Sequence, residues 1–132
     1  MILTAILITL AAICNAVMDV CSHKYQQSIF YWKYFNDQWW DAQISWKNKY
    51  YLEKVSNGRK KFNIGYLQFN LHPAFTDAWN FFKSLMIIFL LLSIATCPTE
   101  NIKESAVVFI GGGILYNLTF SLFYKRILIK KR

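Results

Sequence analysis

Three apolar stretches, each about as long as a bilayer is thick, constrain this chain more than any other feature. They run over Ile2–Val20, Phe81–Cys97 and Ala106–Tyr124, and Asp19 and Lys83 are the charged residues within them. A helix needs about 20 mostly apolar residues to cross the hydrocarbon core. The pattern predicts an all-α integral membrane protein, a single membrane domain over 1–132, with transmembrane helices at 2–22, 77–97 and 105–125.

The composition agrees with this class and disfavours others. The chain is 55% hydrophobic and 17% charged, whereas soluble domains carry about 25% charged residues. Disordered tails lack such apolar content. A cleaved signal peptide is the alternative for the first stretch, but no basic residue precedes the apolar run, which favours a retained helix.

The basic residues predict the orientation of the three helices. The chain has 15 Lys and Arg residues, and all except Lys103 fall on the side that holds residues 21–80 and the basic tail 125–132. Loops rich in Lys and Arg stay in the cytoplasm. We therefore expect a multi-pass protein of the inner membrane, with the N-terminus outside, the C-terminus inside and the long loop cytoplasmic.

The loop over 23–76 is unusually rich in aromatic residues interleaved with lysines. Trp and Tyr favour the bilayer interface, and an anionic leaflet attracts Lys. The loop is therefore predicted to pack on the inner membrane surface and to cover part of the helix bundle. Residues Gln26 to Asn36 are expected to continue the first helix, and Ser56-Asn57-Gly58 predicts a turn joining Tyr50–Val55 and Lys61–Phe69 in a short β-hairpin. Single-stranded nucleic acid, which also suits basic and aromatic residues, is the less favoured partner.

Polar residues near the inner ends of the helices are the candidate site. Asp19 and His23 are four residues apart and share a helix face, as do Asp77 and Asn80 three residues apart. Polar groups at membrane depth usually face a bundle interior or a cavity. Carboxylate, imidazole and amide groups suit a divalent metal, so we predict Asp19, His23, Asp77 and Asn80 as candidate metal ligands.

The same residues also suit acid/base chemistry. Asp19, His23 and Asp77 are the candidate catalytic groups. Four further residues are predicted to bind an anionic substrate: Lys24, Lys47, Lys49 and Asn117. Structural roles compete with each assignment, since Asp77 can cap a helix, His23 can meet lipid headgroups, and Asn117 can join two helices by a hydrogen bond.

Three motifs resemble an uncharacterised family of small bacterial and phage membrane proteins. They are M-D-V-x-x-H-K at Met18–Lys24, W-W-D-x-x-I-S-W-K-N-K-Y at Trp39–Tyr50, and F-T-D-A-W-N-F-F-K at Phe75–Lys83. The resemblance implies a D-x-x-x-H pair and a D-x-x-H pair on two helices, with Asn80 at the second His position. It implies no particular activity.

Three functions are compatible with these features. The first is a subunit or partner-binding membrane module, which would contact a protein partner or further copies of itself through the aromatic loop. The second is a membrane-interface enzyme, metal-dependent or acid/base, acting on a lipid or an anionic lipid-linked substrate. The third is a holin-like pore, for which an aromatic loop of this length is more than the role needs.

Overall fold

The computed structural model describes residues 1–33, 35–45, 61–64, 67–70, 77–97 and 101–130, the strand residues and Ile102 by their backbone alone. Three long helices dominate, α1 (Ile2–His23), α4 (Ala78–Ala95) and α5 (Ile102–Leu122). Two single-turn helices, α2 (Asp37–Trp40) and α3 (Ala42–Ser45), follow α1. All three long helices are long and apolar enough to span a membrane, as the sequence predicts.

Helix α1 lies at the centre of the bundle and packs against both α4 and α5. Its contact surface is built from small residues, and Ala11, Ala12 and Ala16 are completely buried. Small side chains let helix backbones approach closely. The apolar window of α5 has no buried residue, so most of the circumference of α5 faces outwards.

The first helix ends at His23 and does not continue over Gln26 to Asn36, so that prediction is wrong. A 3₁₀ turn follows at Tyr25–Gln27, and the Ser28 hydroxyl donates to the Tyr25 carbonyl at 2.6 Å. Asn36 then starts α2 by accepting a hydrogen bond from the Gln38 amide at 2.9 Å. These turns bring the aromatic residues back against the end of the bundle.

Strands β1 (Lys61–Ile64) and β2 (Leu67–Asn70) form an antiparallel hairpin. Lys61 lies opposite Asn70, and Ile64 lies opposite Leu67. Both strands therefore come from the segment that was predicted as one arm of a hairpin. The other predicted arm, Tyr50–Val55, and the turn at 56–58 lie outside the described residues.

The C-terminal segment returns to the start of the loop. Helix α5 ends in a π-helical turn at Phe123–Ile127, and Leu128 beyond it is buried in the core. The Ile29 amide donates to the Leu128 carbonyl, and the Lys130 amide donates to the Gln27 carbonyl, both at 2.9 Å. These two hydrogen bonds form an antiparallel β-bridge between Ser28 and Ile129. The bridge fixes the segment after α5 beside the end of α1.

Candidate functional site

A layer of aromatic rings covers the end of the bundle where α1 ends and α4 begins. The Phe30 and Trp40 rings are stacked, with centroids 4.3 Å apart and planes 8° from parallel. The Trp40 ring also packs against the Phe82 ring of α4, with centroids 6.0 Å apart. Stacked and edge-to-face ring pairs contribute beyond the area they bury. The rings therefore fix the start of the loop to α4.

A hydrogen bond reinforces this layer. The buried Tyr25 hydroxyl donates to Oδ1 of Asp37 at the start of α2. Burial raises the pKa of Tyr25 above its ordinary value, because it disfavours the phenolate, and the Asp37 carboxylate raises it further. The Tyr25 ring also meets Tyr31 edge to face, with centroids 5.6 Å apart.

The outer surface of this layer is an exposed aromatic face, formed by Tyr31, Trp32, Phe35 and Lys130. The Trp32 side chain is 58% exposed. The Lys130 ammonium lies 5.4 Å from the Trp32 ring centroid and 5.7 Å from that of Tyr31, and it donates to the Tyr31 carbonyl. Cations are attracted to ring faces at these distances. The face thus combines exposed rings with a positioned positive charge.

Two further lysines lie over aromatic rings. The Lys24 ammonium is 4.7 Å from the Tyr124 ring centroid, and the Lys83 ammonium is 4.8 Å from that of Trp79. Such lysines lay their apolar stems on the protein while keeping their charge towards water or headgroups. Lys24 is a predicted substrate ligand, and its ammonium is therefore positioned by the Tyr124 ring in the π-helical turn.

Asp77 and Asn80 are hydrogen-bonded to each other at the start of α4. The Asp77 carboxylate is 2% exposed, and its Oδ1 accepts from the Asn80 backbone amide at 2.8 Å. The Asn80 side-chain nitrogen donates to Oδ1 at 2.9 Å and to Oδ2 at 2.7 Å. This arrangement is helix capping, one of the roles weighed for Asp77.

Asp19 and Asn15 lie on the part of α1 that faces α5. Both are half-buried. The Tyr116 hydroxyl lies near Asn15 and the Asp19 carboxylate, and it is 3.8 Å from the sulfur of Met86. Tyr116 was missed in the sequence because tyrosine is common near membrane surfaces for reasons other than a site.

Two of the remaining predicted site residues are exposed rather than half-buried. His23 is exposed at the end of α1, and Asn117 is exposed on α5, where its amide donates to the Gly113 carbonyl at 2.8 Å. Lys47 and Lys49 lie outside the described residues. Across the described part of the chain, no three His, Cys, Asp or Glu side chains are placed to hold a metal ion. The structure therefore does not gather Asp19, His23 and Asp77 as metal ligands.

Comparison of the chain with protein-family models, with curated proteins and with solved structures gave no match.

Proposed function

We propose that the chain is a small polytopic protein of the inner membrane that acts as a subunit or partner-binding module. The observation that carries this proposal is the exposed aromatic face, held on a fixed support at one end of three apolar helices. Tyr, Trp and cationic side chains are typical of the energetically dominant residues at protein interfaces. Trp and Tyr are also enriched where a protein meets the headgroup layer.

The support under the aromatic face makes it suitable for binding. Stacked rings, the Tyr25–Asp37 hydrogen bond and the C-terminal β-bridge fix the segment on both sides. A surface that is already ordered loses less conformational entropy when a partner binds. The proposed orientation puts this face on the cytoplasmic side. There, an anionic leaflet would attract the positive charges of Lys24, Lys83 and Lys130.

Co-purification from native membranes tests the proposal. In a mild detergent, we expect the unmodified chain to retain a stoichiometric partner, and Trp32→Ala to lose it. Gln26→Ala is the matched control, because Gln26 is an exposed residue of the neighbouring turn outside the aromatic face. A chain that purifies as a monodisperse monomer without a partner contradicts the proposal.

The second candidate function is an acid/base enzyme of the membrane interface, acting on a lipid or an anionic lipid-linked substrate. It is favoured by Asp19, a half-buried carboxylate within an apolar helix, near Tyr116 and four residues before His23. Ionisable residues at this depth usually serve a function. Full complementation of a deletion strain by both Asp19→Asn and His23→Ala would rule this candidate out.

A further inference from the structure

The outward side of α5 carries an amide that the bundle does not use. Asn117 is exposed and lies ten residues, or about 15 Å along a helix, before the end of the span at Ile127. Its side-chain nitrogen donates to Gly113, which among the described residues is the one hydrogen bond of this side chain. Among the described residues, the amide oxygen therefore has no hydrogen-bond partner, and the side-chain nitrogen has no acceptor besides Gly113.

Four exposed residues form what we call the Asn117 face. Ala106, Ile110, Gly113 and Asn117 follow i, i+4, i+7, i+11 spacing and so lie on one side of α5. The packed side is different: a Cβ at Gly112 would lie 2.9 Å from the Ile8 side chain of α1, whereas a Cβ at Gly113 would meet nothing within 4 Å. Within the described part of the chain, the Asn117 face is thus exposed and not the side of α5 that packs on α1.

An amide facing hydrocarbon is costly, because lipid tails cannot replace its hydrogen bonds to water. A neighbouring helix that offers both a donor and an acceptor at the same depth removes this cost. Small residues beside the amide let such a helix approach, and Gly113 lies one turn away from Asn117.

We propose that the Asn117 face binds a second copy of this chain, with the two Asn117 amides hydrogen-bonded to each other. Two copies inserted with the same topology present Asn117 at the same depth, and an amide is both donor and acceptor. A twofold axis beside α5 therefore pairs each amide with its own counterpart. This inference rests on the proposed role as a membrane-embedded binding module and names one of its partners.

Energy transfer between donor- and acceptor-labelled copies in vesicles tests this interface. The full chain is reconstituted in phosphatidylethanolamine and phosphatidylglycerol at several protein-to-lipid ratios. We expect transfer above that of random proximity, and about tenfold weaker association for Asn117→Leu, since interhelical hydrogen bonds in membranes contribute on this scale.

A pair of glycine variants provides the matched control. Gly113→Leu adds bulk on the Asn117 face and is expected to weaken association similarly. Gly111→Leu adds the same bulk on another side of α5, where a Cβ also meets nothing within 4 Å, and is expected to leave association unchanged. Equal transfer in the unmodified chain and Asn117→Leu, or equal losses in the two glycine variants, would overturn the inference.

Flotation of the same vesicles separates the two proposals. A chain that does not float with lipid overturns both the membrane role and the paired helices. A chain that floats, and that retains its partner in the co-purification from native membranes, but shows only random energy transfer in the vesicles, overturns the paired helices alone.

Discussion

Asp77 is a carboxylate whose position at a membrane helix has a structural explanation. It lies at the N-terminal cap of α4, where free backbone amides favour an acceptor, and it accepts hydrogen bonds from Asn80. The backbone amide and the side-chain amide of Asn80 therefore both donate to Asp77. The residues D-A-W-N at 77–80 thus encode a capped helix start, whatever further role they have.

Replacing Asp77 separates capping from carboxylate chemistry. Asp77→Ala removes the acceptor and is expected to lower the free energy of unfolding by about 1–2 kcal/mol. Asp77→Asn keeps the oxygen that caps the helix but loses one of the two acceptors for the Asn80 side chain, so it is expected to lower the free energy of unfolding by less than Asp77→Ala does. Thermal unfolding in detergent measures both changes. A stable Asp77→Asn protein that fails to complement a deletion strain would contradict a purely structural role.

The raised pKa of Tyr25 should make the free energy of unfolding depend on pH in alkaline solution. Its pKa is raised in the folded protein by burial and by Asp37, so the folded state holds this proton more tightly than the unfolded chain does. The resulting stability is complete below the ordinary tyrosine pKa of about 10 and is lost as the pH rises through the higher folded value. The unfolding temperature of the unmodified protein should fall as the pH rises above 10. The unfolding temperature of Tyr25→Phe should fall less steeply over the same range. Equal slopes for the two proteins would contradict this role of Tyr25.

At the scale of elements, the three long helices are predictable from the sequence because hydropathy over a bilayer thickness is a strong signal. Their rotation about their own axes is not. Helix α5 is apolar around its whole circumference, so the sequence does not indicate which side packs on α1. Asn117 was expected to face the bundle, but the adjacent Tyr116 faces it instead, and Asn117 is exposed.

The loop was predicted less well for a related reason. In the described part of the loop before residue 46, the rings do cover the end of the helices, but the partners of the rings depend on the tertiary structure. The contact of the Trp40 ring with that of Phe82, and the β-bridge between Ser28 and Ile129, join segments far apart in the chain. No local pattern in the basic C-terminal tail indicates that Leu128 is buried.

Leu128 tests whether the returning C-terminal segment stabilises the fold. It belongs to the cluster that includes Val20, Cys21 and Phe30. Truncating a buried leucine in a core typically costs a few kcal/mol, so Leu128→Ala is expected to lower the free energy of unfolding by about 2 kcal/mol. Ile127→Ala is the control, because Ile127 is exposed and such changes stay within about 0.5 kcal/mol. Equal unfolding temperatures for the two variants would contradict a stabilising role for this segment.

At the scale of the whole molecule, the chain has two surfaces with different chemistry. Exposed apolar residues cover α4 and α5 over their lengths, while exposed rings and lysines lie at the end that holds Lys24 and Lys130. A bilayer has the same arrangement, an apolar core bounded by charged headgroups. We propose that the charge of +8 orients the protein and is attracted to an anionic leaflet.

The most direct test of the membrane account is the labelling of single cysteines by an impermeant maleimide in bacterial cells. In a chain with Cys14, Cys21 and Cys97 changed to Ala, two positions report on the opposite ends of the bundle. Ser105→Cys, near the start of α5, is predicted to react in intact cells, whereas Gln26→Cys, beside the aromatic face, is predicted to react only after permeabilisation. Reaction of both positions in intact cells, or of neither, would contradict a three-span protein with its aromatic face in the cytoplasm.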